Sequence, residues 1–434
     1  MSALNLVSLL GCLLLMLVAW LSGGCKRPVS WRTVGGSFAL MLFAGVLIFW
    51  LPASRGMLVI VNDAVIAALS AVSAGADFLL GPLALAPGST SDDGTPSIGF
   101  VFAAQVLPAV IFFAALMALL RHYGLIHLVV RLLARLFHRT LRLSGAEALV
   151  AAANLFFGVE ASAAAKPYLK RMTRSELLTV LGCGMSTVAS TTMAIYVLFL
   201  QNSFPRIAGH LISASFLSIP AAALISKLML PESVEGGAPE TAGSVPSDRE
   251  PSAHEGGLAA LASGATDGLR LAAGISTLLI AVLGLVGLAD LAIGALVTSI
   301  GGQGAWIGID GVLGTLFYPF AWMLGIEAAD LPEAARLLGQ RIVMTEVVSY
   351  RELGALAESG AVSARTQLVL SYALCGFAHL ASVGIFVGGI TAIAPDRRND
   401  LAGLGPRALL VATLATLLTG AVAGLLYVGQ TGLL

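Results

Sequence analysis

Two carboxylates stand in apolar sequence. Glu160 lies in NLFFGVEASAAAKPYLKRMT, residues 154–173, a run that opens on Asn154 and reaches a Lys-Pro pair. Glu346 lies in the Gly- and Pro-interrupted stretch 310–350. At membrane depth an ionised side chain costs about 3 kcal/mol on insertion scales unless it is paired or wetted. Such residues therefore belong by default to solute or ion pathways. The chemistry open to them is recognition: a carboxylate accepts two charge-assisted hydrogen bonds, as from a vicinal diol. The structural alternative is a carboxylate that satisfies the backbone amides of a broken helix, and one residue can do both. Bond-making chemistry is not indicated. No His-Glu-x-x-His helix and no Gly-x-Ser-x-Gly elbow lies within a span, so the chain does not read as an enzyme.

The elements that carry these acids are legible from composition. Of 434 residues 57% are hydrophobic and 11% charged, and apolar runs of spanning length recur near 3–22, 34–51, 100–120, 177–200, 208–229, 267–297, 365–394 and 406–430. That pattern predicts an all-α polytopic membrane protein with about eight transmembrane helices and the lipid bilayer as its surroundings. The weak alternating segments of a β-barrel are not seen. A net charge of zero offers nucleic acid no electrostatic partner. Cys12, Cys25, Cys183 and Cys375 have no paired spacing, which argues against disulfides and zinc alike. Residues 1–22 lack a preceding Lys or Arg, and Lys26 and Arg27 follow them, so they read as an uncleaved first span.

Orientation follows the basic residues. Lys26, Arg27 and Arg32 join spans one and two; Arg121, Arg131, Arg135, Arg139 and Arg142 follow span three; Lys166, Lys170, Arg171 and Arg174 precede span four; Arg397, Arg398 and Arg407 lie between the last two. With these loops cytoplasmic, both termini face outward. The connection 52–99, which sets Asp63, Asp77, Asp92 and Asp93 against Arg55, then lies outside. The signs agree only if 145–165 and 310–350 enter and leave on the same side. Two opposed re-entrant hairpins in matching halves are the sequence mark of an inverted-repeat transporter core, and irregular backbone at membrane depth must line protein or water.

The chain accordingly divides at 1–99 (two spans and the external connection) and 100–144 (third span and interfacial helix). Then come 145–230 (hairpin one, spans four and five), 231–264 (linker) and 265–434 (span six, hairpin two, spans seven and eight). In LIHLVVRLLARLFHRTLR, residues 125–142, Arg131, Arg135 and Arg139 recur at i+4 opposite Leu and Val, as in a helix lying in the interface. Residues 231–257 are Gly, Pro, Ser and Glu with almost nothing apolar, a flexible cytoplasmic linker by composition. Ser144 and Glu147 form a capping box and are assigned no transport role.

LSGAEALVAAANLFFGVEASAAAKPYLKRMTRSEL, GMSTVASTTMAIY, HLISASFLSIPAAALISKLMLPE, LVLSYALCGFAHLASVGIFVGG and IAPDRRNDLAGLGPRALL, in this order and at this spacing, resemble the concentrative nucleoside transporter family. The resemblance runs from about residue 34 to 430 and weakens in 52–99 and in the linker. It implies a homotrimer in the cell inner membrane, each protomer carrying a nucleoside inward with a coupling cation and no other cofactor.

Site residues carry over where the motifs match. The family's first hairpin reads Gly-Gln-Thr-Glu-Ala-Pro and touches the nucleobase; here Gly158, Val159 and Glu160 stand in its place, without the Gln and Thr. Glu346, in Thr345-Glu346-Val347, matches the acid that holds the ribose hydroxyls. In GFAHLAS, residues 376–382, Phe377 and Ser382 are kept and His379 replaces the family's Asn; Thr192 replaces an apolar residue that packs on the base. Asn154, Phe157, Thr187 and Val188 match four of the five sodium ligands, the fifth being the missing Thr, and hard cations take such oxygen donors. Coupling to Na+ or to H+ both fit, with His379 a candidate for the proton because imidazole titrates near neutral pH.

Overall fold

The computed structural model describes residues 2–25, 29–90, 94–232, 256–299 and 308–429, without the side chains of 52–55 and 163. Two apolar helices open it, α1 (Ala3–Ser22) and α2 (Trp31–Trp50), each about 30 Å long at 1.5 Å per residue. The polar residues of α1 are buried and spoken for. Asn5 Nδ2 donates to the carbonyls of Gly424, Leu425 and Tyr427, and Ser8 Oγ to that of Leu324. The two ends of the chain therefore share a side, as the charge pattern requires.

The connection expected over 52–99 is not a loop at its start. Residues Pro52–Leu80 form a 29-residue helix, α3, with Pro in its first turn and the hydropathy of a span. Its contacts keep it on one side. Asn62 Nδ2 donates to Pro205 O near the start, while Gln105 Nε2 reaches Leu83 O and Leu85 O beyond the end. Pro205 and Gln105 both lie in turns on the same side of the bundle, the side that the charge pattern expects to be outer, so α3 runs along that side. Asp63 and Asp77 are exposed, which is how an acid-bearing connection can also be an apolar helix.

Span three is α4 (Phe102–Gln105) with α5 (Leu107–His122). The interfacial helix α6 (Leu125–Leu141) buries Ile126, Val130, Ala134, Phe137 and Leu141 and exposes Arg135 and Arg139. Hairpin one is α7 (Gly145–Ala153), the 3-10 segment Val159–Ala165 and α8 (Lys166–Leu169). Ser144 and Glu147 cap α7 reciprocally, as expected. Span four is broken into α9 (Arg174–Ser186) and α10 (Ser190–Leu200), and α11 (Ile207–Met229) is a deeply enclosed crossing with Pro220 inside it. Residues 233–255 of the linker lie outside the described residues.

The linker ends earlier than the composition suggests. Leu258, Ala259, Ala260 and Leu261 are strong helix formers, and residues 257–264 are the first turns of α12 (Gly257–Ser299). At 43 residues α12 is about 65 Å long, twice the hydrocarbon thickness. Next come α13 (Gly308–Met323), α14 (Leu331–Met344) and α15 (Glu346–Glu358). The hairpin expected over 310–350 is thus 331–358, turning at Thr345. α13 lies antiparallel on α14, brought close by Gly314 against Arg336 and Gly339 against Leu313. The span expected at 365–394 is broken into α16 (Ala364–Ala373) and α17 (Leu380–Ile393), and α18 (Arg398–Leu426) closes the chain.

Arg397 Nη1 donates to the carbonyls of Leu169, Lys170 and Met172, so the turn before α18 meets the exit of hairpin one. Among the described residues eight helical segments have the length and hydropathy of spans, α4 with α5 and α9 with α10 each counting as one. Contacts remove α3 from that set and the broken pair α16–α17 restores the number. The fold is an all-helical membrane bundle with two hairpins among the described residues.

Candidate functional site

The two broken spans meet at their breaks. α9 stops because Thr187 turns extended, and α17 restarts on His379. A Cβ on Gly376 would lie 2.7 Å from Ser186 O, so only glycine lets the two backbones touch there. Broken helices leave backbone donors and acceptors free, which is the usual scaffold of a midplane site.

Hairpin two delivers an acid to this crossing. Glu346 is the first residue of α15, 1% exposed, where the positive end of the helix favours a carboxylate. Its position depends on Thr345, held at φ 80°, ψ 158°. A β-branched residue there stores about 1–3 kcal/mol of strain, as residues at functional turns do. Tyr196 of α10 donates its hydroxyl to Glu346 Oε1 at 2.7 Å. Tyr196 stacks on Tyr350 with centroids 4.4 Å apart, and Tyr350 donates to Ser371 O at 2.6 Å.

His379 Nε2 lies 3.3 Å from Glu346 Oε2, close enough for an ion pair yet out of line for a hydrogen bond, so Oε2 keeps an open lone pair. His379 also caps α17: its Nδ1 accepts from Ser382 N at 3.2 Å. Ser382 Oγ donates to His379 O at 2.6 Å and accepts from His379 N at 3.3 Å. Phe377 meets the His379 ring edge-on at 6.2 Å. Arg341 is fully buried; its Nη1 donates to Ala373 O and Thr416 Oγ1, while Nε and Nη2 have no partner. Glu346, His379, Ser382 and Phe377 are therefore one cluster, with the Ser382 hydroxyl committed to the helix cap rather than to a ligand.

The first hairpin does not bring its acid here. Val159 packs on Gly389, ten residues along α17 from His379 and so about 15 Å further by helical rise. Glu160 is exposed, and no hydrogen bond or ion pair among the described residues joins it to Glu346. The cause is the return arm. It winds as a 3-10 segment whose Val159, Ala161 and Ser162 face protein, which turns Glu160 outward. Glu160 therefore stands apart from the Glu346 cluster in this arrangement. Thr192 lies one turn from Tyr196 on α10 and spends its hydroxyl on Ala189 O at 3.1 Å.

Of the oxygen set carried over for a cation, Asn154 and Phe157 flank the hairpin-one tip and Thr187 and Val188 lie at the break of span four. Ser190 Oγ donates to Leu155 O, which ties the hairpin-one tip to the break of span four. Asn154 is 1% exposed, and neither atom of its carboxamide has a partner. Thr187 Oγ1 donates to Cys183 O at 2.9 Å, which leaves the oxygen's lone pairs for a ligand role. Val188 N is bonded to Ser215 Oγ, and Phe157 packs under Arg121. These donors suit a hard monovalent ion. No cluster of three or more His, Cys, Asp or Glu residues among the described ones suits a transition metal.

Tyr196, Arg341, Thr345 and Tyr350 join the site without having been singled out from sequence. Arg341 carried a signal, a charge within an apolar hairpin. The tyrosines carried none, because an aromatic in a span reads as packing.

Profiles described as "Na+ dependent nucleoside transporter N-terminus", "Nucleoside recognition" and "Na+ dependent nucleoside transporter C-terminus" match residues 10–83, 103–203 and 210–424. Nucleoside permease NupC of Helicobacter pylori is 33% identical over 97% of this chain and 97% of its own length. Sodium/nucleoside cotransporter 1 of Oryctolagus cuniculus is 30% identical over 98% of this chain and 63% of itself. The solved structure of CNTnw in an inward-facing substrate-bound state superposes with a TM-score of 0.84 at 33% identity, covering 98% of both chains. A variant of CNTnw in an outward-facing state gives 0.85 at 32% identity, over 98% of both chains. Full-length identity, three successive profiles and a shared fold place this chain in the concentrative, Na+-dependent nucleoside transporter family.

Proposed function

We propose that this chain carries nucleosides or nucleoside-like solutes inward across a cell inner membrane by alternating access, coupled to a cation, as a homotrimer. The observation that carries the reading is Glu346. It is a carboxylate buried at the meeting of hairpin two and both broken spans, with one oxygen unpartnered and a histidine donor beside it. Glu346, His379 and Ser382 form the sugar side, Ser382 by holding the cap that aims His379. Gly158, Val159, Glu160, Thr192 and Phe377 form the base side, and the outward-turned Glu160 enters it when the hairpin arms shift. Relatives named as sodium/nucleoside cotransporters support Na+ as the coupled ion. So does the buried, unpartnered carboxamide of Asn154, with Phe157, Thr187 and Val188 completing the oxygen set. H+ is the rival ion.

The altered first-hairpin motif, Gly158-Val159-Glu160, favours one second reading: a cargo other than a standard nucleoside that still carries a diol, or passage without coupling. Uptake of labelled nucleosides into proteoliposomes under separate Na+ and H+ gradients decides among these. Accumulation above equilibrium under the Na+ gradient supports the proposal. Equilibration alone indicates an uncoupled channel, and accumulation under H+ alone removes the Na+ assignment. Glu346→Gln is expected to abolish uptake while expression and assembly size stay unchanged; normal rates in that variant refute the sugar-binding role.

A further inference from the structure

Away from the Glu346 cluster, α6 carries a row of charge that nothing in the chain matches. Arg131, Arg135 and Arg139 lie along it and Arg142 at its end, and none has a hydrogen bond or ion pair among the described residues. From residue 94 through 146 the chain contains no Asp or Glu. Of the elements that α6 packs on most, α2, α5 and α11 carry no acid either. Glu147 of α7 is committed to Lys227 and to the cap at Ser144. One more cation adjoins the row. Arg32 stands one turn before Gly36 on α2, where Gly36 comes close to Thr140 O at the end of α6.

At about 100° per residue the helix has three faces. Ile126, Val130, Ala134, Phe137 and Leu141 are buried against the bundle, with Phe137 on Phe216 of α11. Leu125, Leu128, Leu132 and Leu136 form an exposed row on the far side. The arginines follow one border between the two. Cytoplasmic sidedness alone would account for solvated arginines. It does not account for the exposed leucines beside them. Nor does it account for Arg131, whose Nε is closed off from solvent with no hydrogen-bond partner. The carbonyl end of the helix dipole reaches Arg139 and Arg142 but falls off before Arg131 and Arg135. Guanidinium forks match the oxygens of a phosphate, and a leucine row matches acyl chains. A phospholipid offers both, and four unneutralised cations select one with net negative charge.

We propose that α6 is a docking surface for an anionic phospholipid, with the phosphate held by Arg131 and Arg135 and the chains laid along Leu128 and Leu132. Because α6 packs on α7, the first arm of hairpin one, the bound lipid braces the support of that hairpin. The site is separate from the nucleoside reading and does not rest on it.

The full-length protein in neutral detergent is titrated with phosphatidylglycerol, phosphatidylcholine or inorganic phosphate. Tm and the lipids retained in native mass spectra are read. Phosphatidylglycerol is expected to be retained and to raise Tm, and the other two to do neither at the same concentration. Arg131→Gln with Arg135→Gln is expected to weaken its apparent affinity about 25-fold, roughly fivefold for each charge removed. Lysine at both positions keeps the charge and stays within about threefold of wild type. Arg398→Gln with Arg407→Gln removes the same charge from exposed positions of α18 and changes the affinity less than about twofold.

An equal response to the two lipids, an equal loss in the α18 variant, or equal protection by inorganic phosphate overturns the proposal. So does a smaller assembly in the Arg131/Arg135 variant with lipid retention unchanged, which assigns the face to a second copy of the chain. If the glutamine variant does not fold, the lysine variant and the salt dependence carry the test. The wild-type Tm gain from phosphatidylglycerol is expected to shrink as ionic strength rises, and a salt-independent gain overturns the role of the arginines.

Discussion

Lys227 shows how this chain pairs a buried charge. It is 4% exposed in α11, and its Nζ donates to Glu147 at 2.7 Å, Glu232 at 2.6 Å and Ser175 at 3.2 Å. Glu147 returns its other oxygen to the cap of α7, so hairpin one, α9, α11 and the root of the linker are tied at one point. Removing one partner leaves an uncompensated buried charge. Lys227→Met is expected to destabilise by about 3–5 kcal/mol, read as a lower Tm in detergent without a change in KM for transport in the folded fraction. Glu232, which also accepts from Thr173, lies outside the membrane segments. Burial raises its pKa, but the Lys227 charge and the hydrogen bonds from Lys227, Thr173 and Ser175 outweigh this and hold it below the usual carboxylate value. A depressed folded value means the stabilisation is complete above the unfolded pKa, about 4.3 for Glu. It is lost as pH falls through the folded one. Tm should therefore drop on acidification below that range, and the drop should shrink in Glu232→Gln.

At the scale of elements, the decisive feature is the turn between α14 and α15. Thr345 occupies a backbone region that glycine adopts freely, and its buried Oγ1 has no partner, so nothing local repays the strain. The strain starts α15 abruptly at Glu346 and aims that carboxylate at Tyr196. Thr345→Gly is expected to relieve about 1–3 kcal/mol of strain, offset in part by chain entropy, and to loosen the acid's aim. The outcome to measure is an unchanged or higher Tm together with a KM raised several-fold; a rise in both Tm and substrate affinity would sink the argument.

Across the whole molecule, α12 is held to the bundle chiefly through α5. Gly264 and Gly268, four residues apart, let the helices touch. A Cβ at Gly268 would lie 2.7 Å from Ile111 Cα, and one at Gly264 would lie 2.8 Å from Ala114 O. Beyond that seam Ile280, Leu285, Leu288, Leu291 and Leu296 are exposed, a length of apolar helix suited to an apolar surrounding. Gly268→Leu is expected to prise the pair apart. The Tm in detergent should fall while the Glu346 cluster, on other helices, keeps its substrate affinity.

The sequence by itself determined the class and most of the crossings, and it set an expectation for their direction. Hydropathy and the placement of Lys and Arg are additive along a chain, so spans and sidedness need no contacts to be read. Glu346 stood out for a related reason, since a charged group at membrane depth is rare enough to mark itself, whereas His379 was singled out through the family resemblance. Only the tertiary structure decided what depends on dihedral angles and on partners far away in the chain. Charge placed 52–99 on one side as a connection, and only the contacts of Asn62 and Gln105 show how the long helix over 52–80 runs along that side. Glu160 turned outward because of a 3-10 winding that no pattern of residue types encodes. Tyr196 reached Glu346 across 150 positions of sequence, and the free oxygen beside His379 is the remainder of that long-range bond.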